Sequence, residues 1–211
     1  MEKLEVKIAK ELMQIKAIKL QPASPFTWAS GWKSPIYCDN RKTLSYPVLR
    51  TYIKEQFSKL IREKHPDVEV IAGVATGAIA QGALVAEELG LPFVYVRSAA
   101  KGHGMGNLIE GDLQSGKKVV VIEDLISTGG SSLKAVEALR EAGSEVLEMF
   151  AIFTYGFQVA KDNFEKADVA LTVLSDYEIL VGVAVESGYV SEKEMETLSE
   201  WRKDPGSWMK G

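Results

Sequence analysis

The sequence predicts one α/β domain, a central parallel sheet flanked by helices and preceded by a small N-terminal appendage. From residue 68 onward, short β-branched runs alternate with helical stretches. Those runs are apolar throughout, as strands covered on both faces must be. A chain of 211 residues with 46% hydrophobic and 26% charged side chains suits one full core, and it contains no internal repeat, low-complexity tract or linker. The expected divisions are the appendage over about 1–45, the core sheet over about 66–175, and C-terminal helices to 211.

In chain order, Leu4, Ile8, Leu12, Ile15 and Ile18 lie three or four apart, the stripe of an amphipathic helix that needs a partner surface. Pro22, Pro25 and Pro35 then surround Phe26-Thr-Trp-Ala-Ser-Gly-Trp. This stretch is too broken for a helix and too aromatic for a solvated linker, so short strands and turns are expected. A second helix, roughly Tyr46 to Lys64, has Pro47 in its first turn and stops before Pro66. The core begins with a strand at Val68 to Val74 and a helix from about Ile79 to Leu89. Strands follow at Phe93 to Val96 and Lys118 to Ile122, then a helix from about Ser131 to Ala142, then strands at Glu145 to Thr154 and Ala167 to Leu174.

Composition removes several function classes. A net charge of -4 provides no global positive field for a nucleic-acid backbone or an anionic membrane, so neither partner is expected and a polyanion must be held by a local site. The segment from Met1 to Leu20 mixes Glu and Lys through its apolar positions, and no window approaches eighteen uncharged apolar residues. The expectation is a cytoplasmic protein. Cys38 is the only cysteine, which rules out an intramolecular disulfide and reads as a buried, inert thiol.

The most informative stretch is Val119-Val-Val-Ile-Glu123-Asp124-Leu-Ile-Ser127-Thr128-Gly129-Gly130-Ser131, an apolar strand running through two acids into a hydroxyl- and glycine-rich turn. Ligands of open α/β sheets bind at the carboxyl ends of strands. The glycines let several backbone N–H groups converge beside a helix N-terminus, and Ser127, Thr128 and Ser131 add hydroxyl donors, so the turn suits a phosphate monoester. Glu123 and Asp124 can accept from vicinal ribose hydroxyls or sit beside a magnesium-bearing ligand. The plainer alternative is a helix cap and tight turn, with the acids favouring the helix dipole. The spacing is neither a Walker A loop nor a dinucleotide fingerprint.

This stretch resembles the phosphoribosyl-diphosphate signature of type I phosphoribosyltransferases. The resemblance implies that family's fold, with the appendage as a hood over the acceptor. It also implies that Glu123 and Asp124 contact the ribose hydroxyls. The donor-binding run would then be Glu123, Asp124, Leu125, Ile126, Ser127, Thr128, Gly129, Gly130 and Ser131, with Ser127 beside the acceptor base.

Between the strands at Phe93 and Lys118 lies a glycine-rich loop whose cationic candidates are Arg97, Lys101 and His103, a composition that suits a mobile lid closing over pyrophosphate. A solvated surface loop is the bland alternative. Lys101-Gly-His103-Gly followed by Gly-Asn-Leu-Ile-Glu-Gly resembles the catalytic loop of orotate phosphoribosyltransferases. Phe26-Thr-Trp-Ala-Ser-Gly-Trp-Lys33-Ser-Pro-Ile-Tyr37-Cys-Asp-Asn40-Arg41 resembles their hood, and Leu174-Ser-Asp-Tyr-Glu-Ile-Leu extends the likeness over nearly the whole chain.

The implied activity is transfer of the phosphoribosyl group to orotate, with Lys101, His103 and Asp124 as catalytic residues and Lys33, Tyr37 and Ser127 near orotate. Mg²⁺ would ride on the substrate diphosphate, with no protein ligand assigned. A homodimer is implied, its lid reaching the neighbouring active site. The rivals are transfer to another base and a regulator that only senses the donor. Some relatives carry cations where this chain has Ala29, Gly77, Ser98 and, by approximate alignment, Phe157. Orotate's carboxylate and the pyrophosphate are therefore expected to rely on backbone N–H groups, Lys33, Arg41, Arg97 and Lys101. The turn Gly73-Val-Ala-Thr76-Gly77-Ala reads equally as a pyrophosphate cradle or a simple strand-to-helix joint.

Overall fold

The computed structural model describes residues 2–28, 31–99 and 108–208. Helix α1 (Leu4–Gln14) buries Ile8, Ala9 and Leu12, but it stops short of the expected Ile18. Lys16 takes a left-handed φ of 55°, while the Ala17 N–H donates to the Leu12 carbonyl and the Lys16 N–H to that of Met13, both at 2.9 Å. This is a Schellman stop built on lysine instead of glycine. Ile18 instead opens strand β1 (Ile18–Leu20).

The broken aromatic segment forms a hairpin of β2 (Phe26–Thr27) and β3 (Lys33–Ser34), followed by β4 (Ile36–Cys38), which pairs antiparallel with β1. A 3-10 turn at Asn40–Ser45 leads into α2 (Pro47–Lys64), with proline at its start.

The core then runs β5 (Val70–Val74), α3 (Ile79–Leu89), β6 (Phe93–Val96), β7 (Ile109–Glu110), β8 (Lys118–Ile126) and α4 (Gly130–Glu141). It continues with β9 (Glu145–Thr154), α5 (Gln158–Lys166), β10 (Leu171–Asp176), α6 (Tyr177–Glu186) and α7 (Glu192–Lys203). The first core strand begins two residues later than expected. The last is shifted to Leu171–Asp176 because α5, which the sequence did not announce, occupies the chain up to Lys166. Strand β8 extends four residues past Ile122, because β9 keeps pairing with it through Ile126↔Thr154.

The six strands lie in the order β10-β9-β8-β5-β6-β7, parallel except for β7, which closes antiparallel on β6. Side chains alternate across each strand and so build two cores. Ile71, Val120, Ile122 and Phe150 pack with α1, α2, α3, α6 and α7, while Ala72, Val119, Val121 and Met149 pack with α4 and α5. From β5 the chain passes through α3 to β6 on one side, and β8 lies on the other. The carboxyl ends of β5 and β8 therefore flank the topological switch point, where open α/β sheets hold their ligands.

The opposite, amino-terminal rim carries a group of ion pairs. Lys118 pairs with Asp67, Lys117 with Glu69 at 2.7 Å, and buried Glu148 accepts from Lys64 Nζ at 2.8 Å and from the Thr172 hydroxyl, with His65 Nε2 at 2.7 Å. Among the described residues, no helix is long and apolar enough to cross a membrane.

Candidate active site

The two acids expected beyond the strand lie within β8, paired with β9 through Glu123↔Ala151 and Leu125↔Phe153. Strand alternation sends them to opposite faces. Glu123, 5% exposed, turns toward α4, where its Oε2 accepts from the Ser132 hydroxyl at 2.7 Å and its Oε1 from the Asp124 N–H at 2.9 Å. Burial, and then the neighbouring charge of Asp124, pushes its carboxyl well above the usual range.

Asp124 turns toward α3, against the turn after β5. A methyl built on Gly77 would stand 2.4 Å from the Asp124 Cγ, so this close approach requires glycine. Burial raises the Asp124 carboxyl too, while the charge of Arg41 pulls it down. Arg41 is held by Asp39 at 2.7 Å, and the Asn40 amide donates to the Asp124 carbonyl at 2.6 Å, which ties the appendage to the end of β8.

The turn from Ser127 to Gly129 then enters α4. Gly129 has φ 80°, and a Cβ there would also stand 2.8 Å from the Phe164 ring, so two independent constraints select glycine. The Asn163 amide steadies the turn by donating to the Thr128 carbonyl at 3.0 Å. No side chain caps α4, so its first N–H groups keep hydrogen-bonding capacity beside the positive end of the helix dipole.

Next to this turn opens a cleft of about 280 Å³ lined by Thr27, Trp28, Tyr37, Cys38, Leu125, Ser127 and Tyr155. The hairpin of the appendage forms one wall and the carboxyl ends of β8 and β9 the other. Trp28 donates through Nε1 to the Ile36 carbonyl at 3.1 Å, and Tyr37 lies 5.6 Å from Phe26, ring to ring. Lys33 reaches the same wall, with Nζ donating to the Thr27 hydroxyl at 2.9 Å. Cys38 is half-buried on the cleft wall, not sealed in the core; burial and then the charge of Asp124 raise its pKa, so it stays a thiol. Burial likewise keeps Tyr155 a neutral phenol.

This chain is 63% identical over 211 residues, all of both chains, to an orotate phosphoribosyltransferase of Phocaeicola vulgatus. The chain belongs to the orotate phosphoribosyltransferase family. The family model of the phosphoribosyl transferase domain matches residues 45–187. Among solved structures, the orotate phosphoribosyltransferase of Aeropyrum pernix superposes with a TM-score of 0.75 at 27% identity, over 87% of this chain and 99% of that one. Leishmania donovani UMP synthase gives 0.78 at 26% identity over 94% of this chain, which spans 42% of that longer protein.

Within the orotate phosphoribosyltransferase family, two of the four places where this chain lacks a cation have physical reasons. Position 77 has no room for a side chain while Asp124 stays where it is, and Phe157 is buried and stacked on Tyr155 with centroids 5.4 Å apart. Ser98 is exposed, and Ala29 lies outside the described residues. So do Lys101 and His103. Arg97 stands at the base of their loop, where its N–H donates to the Leu108 carbonyl at 2.8 Å and its guanidinium meets Glu110 at 3.4 Å.

Sequence reasoning missed Asn40, Ser132, Asn163 and Tyr155 as parts of this site. Asn40 lay within the hood motif itself and Ser132 directly follows the hydroxyl-glycine turn, whereas Asn163 and Tyr155 are brought in by distant pairing.

Proposed function

We propose that this chain transfers the 5-phosphoribosyl group of phosphoribosyl diphosphate to orotate, giving orotidine 5′-monophosphate and pyrophosphate in UMP biosynthesis in the cytoplasm. The observation that carries the reading is Ser127. It follows the acid-bearing strand, starts the hydroxyl-glycine turn and lines the aromatic cleft, so a ribose phosphate held by the turn presents its anomeric carbon to a flat ring in the cleft.

The bond from that carbon to the diphosphate oxygen breaks as its bond to orotate N1 forms, so positive charge develops on the ribose and negative charge on the leaving group. Asp124 and Glu123 hold the ribose hydroxyls, Glu123 through lone pairs beyond those given to Ser132 and the Asp124 N–H. Ser127, Thr128, Ser131 and the first N–H groups of α4 hold the 5-phosphate for orientation. Arg97, Lys101 and His103 meet the departing pyrophosphate. Asp124, a hard oxygen donor at the switch point, fits a magnesium-bearing substrate; Mg²⁺ on the diphosphate would neutralise the departing charge. Lys33 meets the orotate carboxylate, supported by its hydrogen bond to the cleft-wall residue Thr27, and Tyr37 packs against the ring. The working unit is a homodimer in which the lid of one subunit closes over the site of its neighbour.

Orotate loss, followed by its ultraviolet absorbance with phosphoribosyl diphosphate and Mg²⁺ present, tests the reading. Orotate should be used at least about 10² times more efficiently than uracil, since donors deprived of their anion are left unsatisfied and discrimination of that kind reaches about 10⁴. A comparable kcat/KM for adenine or hypoxanthine would overturn it.

A further inference from the structure

The cleft has a support that comes from beyond residues 45–187, the span matched by the family model. Helix α7 buries Trp201 completely, and that ring touches four others: Trp28 at 5.7 Å, Tyr155 at 5.8 Å, Phe157 at 5.4 Å and Tyr177 at 5.5 Å between centroids. Trp28 and Tyr155 are walls of the acceptor cleft. Trp201 therefore stands directly behind both, and Tyr177 fixes its helix by donating a hydroxyl hydrogen bond to the Leu198 carbonyl at 2.9 Å.

A second contact comes from the segment after α7, independently of Trp201. Gly206 lies so close to the hairpin that a methyl there would sit 3.2 Å from Cζ2 and 3.5 Å from Cη2 of Trp32. Trp32 accepts the Trp28 N–H at its carbonyl at 2.9 Å, so the C-terminal segment presses on the closing turn of the hairpin that carries Trp28, Thr27 and Lys33.

The hairpin consists of two strands of two residues each, too short to hold a fixed orientation alone. Trp201 Nε1 is buried with no partner among the described residues, so what this side chain contributes is its ring area and not a hydrogen bond.

We infer that helix α7 and the segment behind it clamp the hood hairpin, with Trp201 and Gly206 as positioning residues that set the acceptor cleft and leave the donor site alone. The inference rests on the proposed function for the identity of the acceptor, and on geometry alone for the clamp.

Two substitutions test it from opposite sides. Gly206 is half-exposed and is not among the glycines with positive φ, so Gly206→Val should fold while pushing Trp32 outward. It should raise KM for orotate about tenfold with KM for phosphoribosyl diphosphate unchanged within about twofold, the split expected when only one substrate's binding is disturbed. Trp201→Leu should do the same, and Trp201→Phe, which keeps an aromatic edge against Trp28, should restore KM to within about threefold of wild type.

Amide exchange provides a readout independent of turnover: hairpin residues 26–34 should exchange faster in Gly206→Val, with β8 and α4 unchanged. If wild type fails to consume orotate, the proposed function falls and exchange alone decides the clamp. An unchanged orotate KM in an active Gly206→Val enzyme, equal rises in both KM values, or unaltered hairpin exchange would each overturn the inference. Should Trp201→Leu fail to fold, Gly206→Val still decides.

Discussion

Replacing Gly77 by alanine should disable the donor site without substituting a catalytic residue. The added methyl carbon would stand 2.4 Å from Cγ and Oδ2 of Asp124 and 2.6 Å from Oδ1. Non-bonded atoms need about 3.5 Å, so the carboxylate must move by about 1 Å. A displacement of that size at a reacting centre costs about 10²-fold, or about 2.7 kcal/mol of transition-state stabilisation. Gly77 is half-buried in a turn and outside the positive-φ set, so alanine fits the backbone, and Tm should fall by no more than about 2 °C. The assay is kcat/KM for phosphoribosyl diphosphate at saturating orotate, in a double-mutant cycle with Asp124→Ala. Once the carboxylate is gone the methyl has nothing to displace, so Gly77→Ala should then cost less than about threefold. Wild-type kcat/KM in Gly77→Ala, or fully additive losses, would refute the reasoning.

Asp124→Asn should lower turnover by at least about 10²-fold with Tm preserved, since it removes a charge that burial disfavours; a mutant that melts far below wild type would make the acid structural. Glu123, whose carboxyl is pushed up to about 8, binds its proton more tightly folded than unfolded. Its contribution to stability is therefore full below the ordinary carboxylate range and declines as pH rises toward about 8, by at most about 1.4 kcal/mol per pH unit. Thermal melts of Glu123→Gln across that window should be correspondingly flatter, and an identical pH dependence would contradict the assignment. If the site is shared as proposed, Lys101→Ala and Asp124→Asn, each nearly inactive, should recover about a quarter of wild-type activity when refolded as an equal mixture, because half the dimers would be mixed and each of those would have one intact site. No recovery, with mixed dimers verified by mass, would place Lys101 in its own subunit's site.

The parts of the molecule that were legible are those with local causes. Strands β6 and β9 sit at the expected residues because continuous apolar runs between turn signals leave the chain few alternatives. The donor turn was legible because a positive φ at Gly129 and a helix start are written within a few positions. Misreadings occurred where a distant partner decides. Helix α1 carried no glycine to announce its stop, since Lys16 takes that conformation once the chain must turn back toward β4. Strand β8 ran on through two acids because β9 continues to pair with it. Helix α5 buries only Ala160 and Phe164, too faint a stripe to read amid Lys, Asp and Asn. The cleft shows the same division: Trp28 and Tyr37 were marked by the hood motif, whereas Tyr155 reaches them from across the sheet.

The rim of ion pairs at the amino ends of the strands has a practical consequence. All the chemistry proposed above belongs to the carboxyl ends, a full strand length away, and the ion pairs at the far rim tie α2 and the segment after it to the sheet. Positions there such as exposed Asp67 and half-buried Lys118 have salt bridges of the kind usually worth under about 1 kcal/mol. They are therefore suitable anchor points for a fluorescent label, a surface tether or a fused protein. An enzyme immobilised by that rim would present its hood and donor turn outward to the solution, as a free enzyme does.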